Sequence, residues 1–121
     1  MTTLTVGAVD YRLVVEERAG GWVAHAERVD TGDRFGVDAT GVSEADARGR
    51  LATWLQWQDA HAAALTALQL AEHDFHRVVA GSAFAGPSDG PTPSELRRDA
   101  LDRVEAARLR LDDVRARRPA M

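Results

Sequence analysis

Polar and apolar residues alternate through the first forty positions, and then the apolar ones recur every third or fourth residue. The change of period separates predicted strands from predicted helices. Leu4-Thr5-Val6-Gly7-Ala8-Val9 and Tyr11-Arg12-Leu13-Val14-Val15-Glu16 carry the alternation of half-buried strands, with lapses. Arg18-Ala19-Gly20-Gly21 is turn chemistry, since Gly20 and Gly21 can take the positive φ that a tight hairpin needs. The next strand begins at Trp22, and its faces are Trp22/Ala24/Ala26 and Val23/His25/Glu27. A second turn at Asp30-Thr31-Gly32-Asp33 leads to Arg34–Thr40, where Phe35, Val37 and Ala39 share a side. The pattern predicts a three- to four-stranded antiparallel meander with one buried face.

From Ser43 the period is helical. Ser43 is a good N-cap, and Asp46 three residues on makes a shortened capping box. Leu51, Trp54, Leu55, Leu65, Leu68, Phe75 and Val79 then recur at helical spacing, and no proline intervenes before Pro87. The helix either runs as one rod to about Ala80 or breaks near Asp59–His61. Gly49 in its interior costs ~1 kcal/mol against alanine, so a close approach of helix to sheet is expected there. The Gly- and Pro-rich stretch 81–91 is a loop. Thr92-Pro93-Ser94-Glu95 restarts a helix with a full capping box and Pro93 at the first position. Ala100, Val104, Ala107, Leu111 and Val114 follow at heptad spacing, and Pro119 ends the run. The expected fold is α+β: a meander packed on a long helix that continues into an antiparallel helical hairpin. The division expected is 1–60 for meander and helix start, and 61–118 for the hairpin with its 81–91 loop.

Composition removes several classes of chemistry. With no cysteine, disulfides, thiolate nucleophiles and thiolate metal sites are excluded. No apolar run approaches the ~20 residues of a membrane span, and the N-terminus lacks the basic-then-apolar pattern of a signal peptide. A cytoplasmic setting is expected. All fifteen basic residues are arginine, in keeping with a GC-rich bacterial genome. Net charge is −4, with seven Arg against thirteen acids before residue 94 and eight against six after it. The tail's arginines alternate with acids, the pattern of a solvated helix, so nucleic acid is not the expected partner.

Three segments together resemble the HicB-like antitoxin domain: Tyr11-Arg-Leu-Val-Val-Glu-Glu, then Gly20-Gly21-Trp22-Val23-Ala24-His25-Ala26, then Gly41-Val42-Ser43-Glu44-Ala45-Asp46-Ala47. The likeness covers about residues 10–60. It implies a short meander closed by a capped helix, and in function a small protein that neutralises a toxin and binds DNA. Two features depart from that family. Arg28-Val-Asp-Thr-Gly-Asp-Arg-Phe replaces its proline-containing segment, and a helical hairpin replaces its DNA-binding element. No functional residue is therefore carried over.

Candidate chemistry centres on Ala71-Glu-His-Asp-Phe-His-Arg-Val-Val79. Glu72 and His76 are four apart and share a helix face, with His73 beside them, so they are the nearest approach to a metal-ligand set. The Glu-x-x-His of carboxylate-bridged di-iron bundles is absent, because Phe75 occupies the histidine position. Folding the chain back through 81–91 sets Glu72 against Arg103 and Val104. A Glu72–Arg103 ion pair at the seam is the expected role, fixing register more than adding stability. His25 beside Glu27 reads as a solvated strand face. Trp54 and Trp57 read as sheet-covering core, or else as binding aromatics. Together with His61, Arg115, Arg117 and Arg118 they make up the candidate interaction surface.

The expected function is a non-enzymatic protein-interaction or assembly module that self-associates, without cofactor or metal. A small sheet leaves free edges, and a two-helix hairpin needs a third surface to bury a wide stripe. The alternative is a HicB-like antitoxin that binds a small toxin and DNA.

Overall fold

The computed structural model describes residues 2–82 and 90–120. Its elements in chain order are β1 (Thr2–Val6), β2 (Val9–Arg18), β3 (Gly21–Arg28), β4 (Arg34–Gly41), α1 (Glu44–Ser82) and α2 (Pro93–Ala116). The strands form one antiparallel sheet in the order β1-β2-β3-β4, so the meander has four strands and the fold is α+β. The chain divides into two compact units, Met1–Ala60 with Arg117–Met121 and His61–Ala116. Among the described residues no helix is long and apolar enough to cross a membrane.

Two turns differ from their expected positions. The first hairpin closes at Val6↔Val9, which makes Gly7-Ala8 the turn and not part of a strand. Gly7 has a φ of 59°. Apolar Val6 and Val9 on either side let the alternation read straight through it. The second hairpin closes at Arg18↔Gly21, so its loop is Ala19-Gly20. The φ values there are 47° and 82°, the paired positive angles of a type I′ turn. Gly21 instead opens β3, and Ala19 carries a left-handed backbone that glycine or asparagine adopts at less cost.

The core of the first unit lies between one sheet face and the start of α1. Leu13 pairs with Ala26, and Ala24 with Ala39, so small residues floor this face. Ala47, Leu51, Trp54 and Leu55 of α1 are buried against them. Tyr11, Phe35 and Trp54 form an aromatic run, with ring centroids 5.3 and 6.4 Å apart. The Trp54 ring rests on Gly36, where any Cβ would collide with it. Gly36 has a φ of 82° and belongs to a bulge. Ala24 pairs with Ala39 and Ala26 with Phe35, so residues 36–38 of β4 all oppose His25. Gly41 is as tightly confined, against the backbone of Ala47. Gly49, by contrast, is exposed, with nothing within 4 Å of a Cβ placed there. The close approach of helix to sheet is therefore made at Gly36 and Gly41.

Both helix starts are capped as their sequences suggest. The Ser43 hydroxyl accepts from Asp46 N at 3.1 Å, and the Asp46 carboxylate accepts from Val42 N at 3.0 Å. In α2, Thr92 Oγ1 accepts from Glu95 N at 3.2 Å and Glu95 Oε2 accepts from Thr92 N at 3.1 Å. This is the reciprocal capping box. Helix α1 passes through Asp59–His61 without a break. Of the expected 81–91 loop, Gly81 and Ser82 end α1, while 83–89 lie outside the described residues.

Candidate functional site

The second unit is built on a seam between two helices. On α1, Asp74 apart, the half-buried or buried positions of this unit are His61, Ala64, Leu65, Leu68, Ala71, Glu72, Phe75 and Val78, a stripe of three- and four-residue spacings. On α2, Ala100, Val104 and Leu111 are buried, and Ala107 and Val114 are half-buried. These are the five heptad positions of the sequence. Val78 takes the inward place expected for Val79, which is exposed.

The expected ion pair between Glu72 and Arg103 is not among those of the described residues. Arg103 is exposed, and its Nε donates to its own helix at Asp99 O, 3.3 Å away. Glu72 instead lines a cavity of about 290 Å³ with Phe75, His76, Leu101, Val104, Glu105 and Arg108. Helical phase gives the reason. At 100° per residue, Arg103 and Arg108 flank the Ala100–Val104–Leu111 seam on opposite sides. Glu72 lies on the Leu101–Arg108 side, away from Arg103.

The six candidate surface residues do not share one environment. Trp54 is buried in the core of the first unit, and its indole N–H has no partner among the described residues, so it contributes area and shape. In that same unit the Arg118 guanidinium lies 5.7 Å from the centroid of the half-buried Trp57 ring. In the second unit Arg115 Nε donates to His61 Nε2 at 3.4 Å. Arg117 is exposed near the C-terminus.

A surface that sequence reading passed over lies on the outside of α2. Leu101 and Leu109 are 43 % and 70 % exposed. They share a sector of about 120° with Arg98, Asp102, Glu105, Arg108 and Asp112, by the helix period. All seven are exposed. Among the described residues none of these five charged side chains is in an ion pair. Two shallow cavities meet along this face at Glu105 and Arg108, the one that Glu72 lines and another of about 260 Å³ that includes Leu109 and Asp112. The available signal was a pair of leucines eight apart that the heptad does not use.

The open face of the sheet holds a polar cluster instead. Glu27 Oε2 accepts from Arg12 Nη2 at 3.1 Å, and Glu27 Oε1 lies 3.2 Å from His25 Nε2. The hydrogen bond from His25, followed by the charge of Arg12, holds the Glu27 carboxyl below its ordinary range. The carboxylate anchors both partners, and the arrangement joins β2 to β3 across a face where these side chains are half-buried. Among the described residues no group of three or more His, Asp or Glu is placed to hold a metal ion. Glu72, His73 and His76 are thus not gathered into a ligand set.

No protein-family model, no curated protein and no solved structure matches this chain.

Proposed function

We propose that the protein is a non-enzymatic cytoplasmic assembly module that self-associates through its helical unit. One observation carries this reading. The second unit buries Ala64, Ala100, Val104 and Leu111, two of them alanines, yet leaves Leu101 and Leu109 43 % and 70 % exposed. A pair of helices buries only the stripe between them. Covering an exposed leucine is worth about 1.5–3 kcal/mol, and a second copy supplies that cover. Light scattering or sedimentation across the micromolar range tests it. The expected result is a mass that rises from one chain to two, and a single-chain mass throughout overturns the proposal.

A second reading, a HicB-like antitoxin, is supported by the four-stranded meander that ends at Gly41 and hands over to a helix capped by Ser43 and Asp46. Its partner would be a small toxic protein. Native pull-down followed by mass spectrometry distinguishes the two. A small stoichiometric protein whose toxicity this chain suppresses supports the antitoxin, and co-recovery of an untagged copy of this chain with the tagged one supports self-assembly.

A further inference from the structure

We infer that the outer face of α2 is the self-association surface, paired antiparallel with the same face of a second copy about a two-fold axis at Glu105. The inference rests on the self-assembly proposed above and adds its geometry. Under such an axis, residues equally far before and after Glu105 meet across the interface.

The sequence of this face matches itself under that operation. Leu101 stands four residues before Glu105 and Leu109 four after, so leucine meets leucine. Asp102 stands three before and Arg108 three after, so an acid meets a base. Arg98 stands seven before and Asp112 seven after, and again opposite charges meet. All seven residues lie within one exposed sector of α2. A parallel pair in register would set Arg98 on Arg98, Asp102 on Asp102 and Arg108 on Arg108, so charge selects the antiparallel arrangement. The other long face of α2 is already taken, since Ala100, Val104 and Leu111 are buried within the copy. The cavities beside Leu101 and Leu109 are open depressions into which a partner's leucine can settle.

Glu105 is the one mismatch, because it faces its own copy at the axis. The two carboxylates repel, so they hold the dimer weaker than its leucines and ion pairs alone would make it.

Six variants test this, each at exposed positions, with the far-ultraviolet circular dichroism and Tm of each compared with the parent. Leu109→Glu is expected to weaken the dimer at least about tenfold in Kd. Glu105→Gln is expected to tighten it several-fold. Arg98→Asp is expected to weaken it, and Arg98→Asp with Asp112→Arg to restore it, which no loss of helix stability would reproduce. The chain has no cysteine. Glu105→Cys is therefore expected to give a disulfide-linked dimer on mild oxidation, whereas Leu70→Cys on the back of α1 is not. A protein that is a single chain at every concentration overturns both the assembly reading and this inference. A dimer indifferent to Leu109→Glu, whose Glu105→Cys form does not cross-link, overturns the inference alone and moves the interface elsewhere.

Discussion

Gly36 and Gly49 look alike in a list of residues and do opposite things. Gly36 is held at φ 82° with the Trp54 ring against it. Gly36→Ala is expected to lose more than about 2 kcal/mol, since a left-handed alanine costs roughly 1–2 kcal/mol before any steric overlap is counted. Gly49 is exposed in a helix with open space around it. Gly49→Ala is expected to gain about 0.5–1 kcal/mol by helix propensity. Urea unfolding of the pair checks both signs at once. The sequence could not separate them, because the demand on a glycine comes from what packs on it. Trp54 sits eighteen residues from Gly36 and in another element. Ala19 is a third case. Its φ of 47° follows from the type I′ turn and not from its own preference. Ala19→Asn is expected to raise the unfolding midpoint by the equivalent of ~1 kcal/mol.

Elements were the most legible level. The strands, both caps and the five inward positions of α2 follow from period and end chemistry, which are local properties of the chain. The side of the seam on which Glu72 lies was not legible. Arg103 and Arg108 stand on either flank of that seam, and only the rotation of α1 about its axis places Glu72 beside the cavity that Arg108 also lines. The short turn at Gly7-Ala8 was hidden for a different reason, since valines at both its ends kept the alternation going. At this level the start of α1 should respond to acid. The hydrogen bond from Val42 N, followed by Arg50, holds the Asp46 carboxyl below its ordinary value. A carboxyl whose folded pKa is lowered gives its stability in full above the unfolded value of about 4 and loses it as pH falls through the lowered one. Asp46→Ala should therefore be less stable than the parent at pH 7 and approach it below pH 4, as followed by denaturant midpoints.

For the molecule as a whole, the sequence suggested self-association from the width of a hairpin's apolar stripe, and the structure locates the uncovered leucines outside that stripe. If the copies assemble, Tm should rise with protein concentration, because whatever binds only the folded chain stabilises it by mass action. Scanning calorimetry over a hundredfold range of concentration would show the rise, and a flat Tm would indicate a folded monomer. The heptad hid this surface by drawing the apolar pattern of α2 onto Ala100, Val104, Ala107, Leu111 and Val114, so Leu101 and Leu109 read as strays on a charged helix. The bulge at Gly36 has a further consequence, for solubility. It lies on β4, which has a neighbour on one side only among the described residues. A smooth strand in that place would offer an even row of unpaired amides and carbonyls on which other chains could stack into fibrils. Three residues crowded opposite one break the row midway, with charged Arg34 just before them and charged Asp38 among them. The cradle for one tryptophan ring thus also blunts the β4 edge of the sheet.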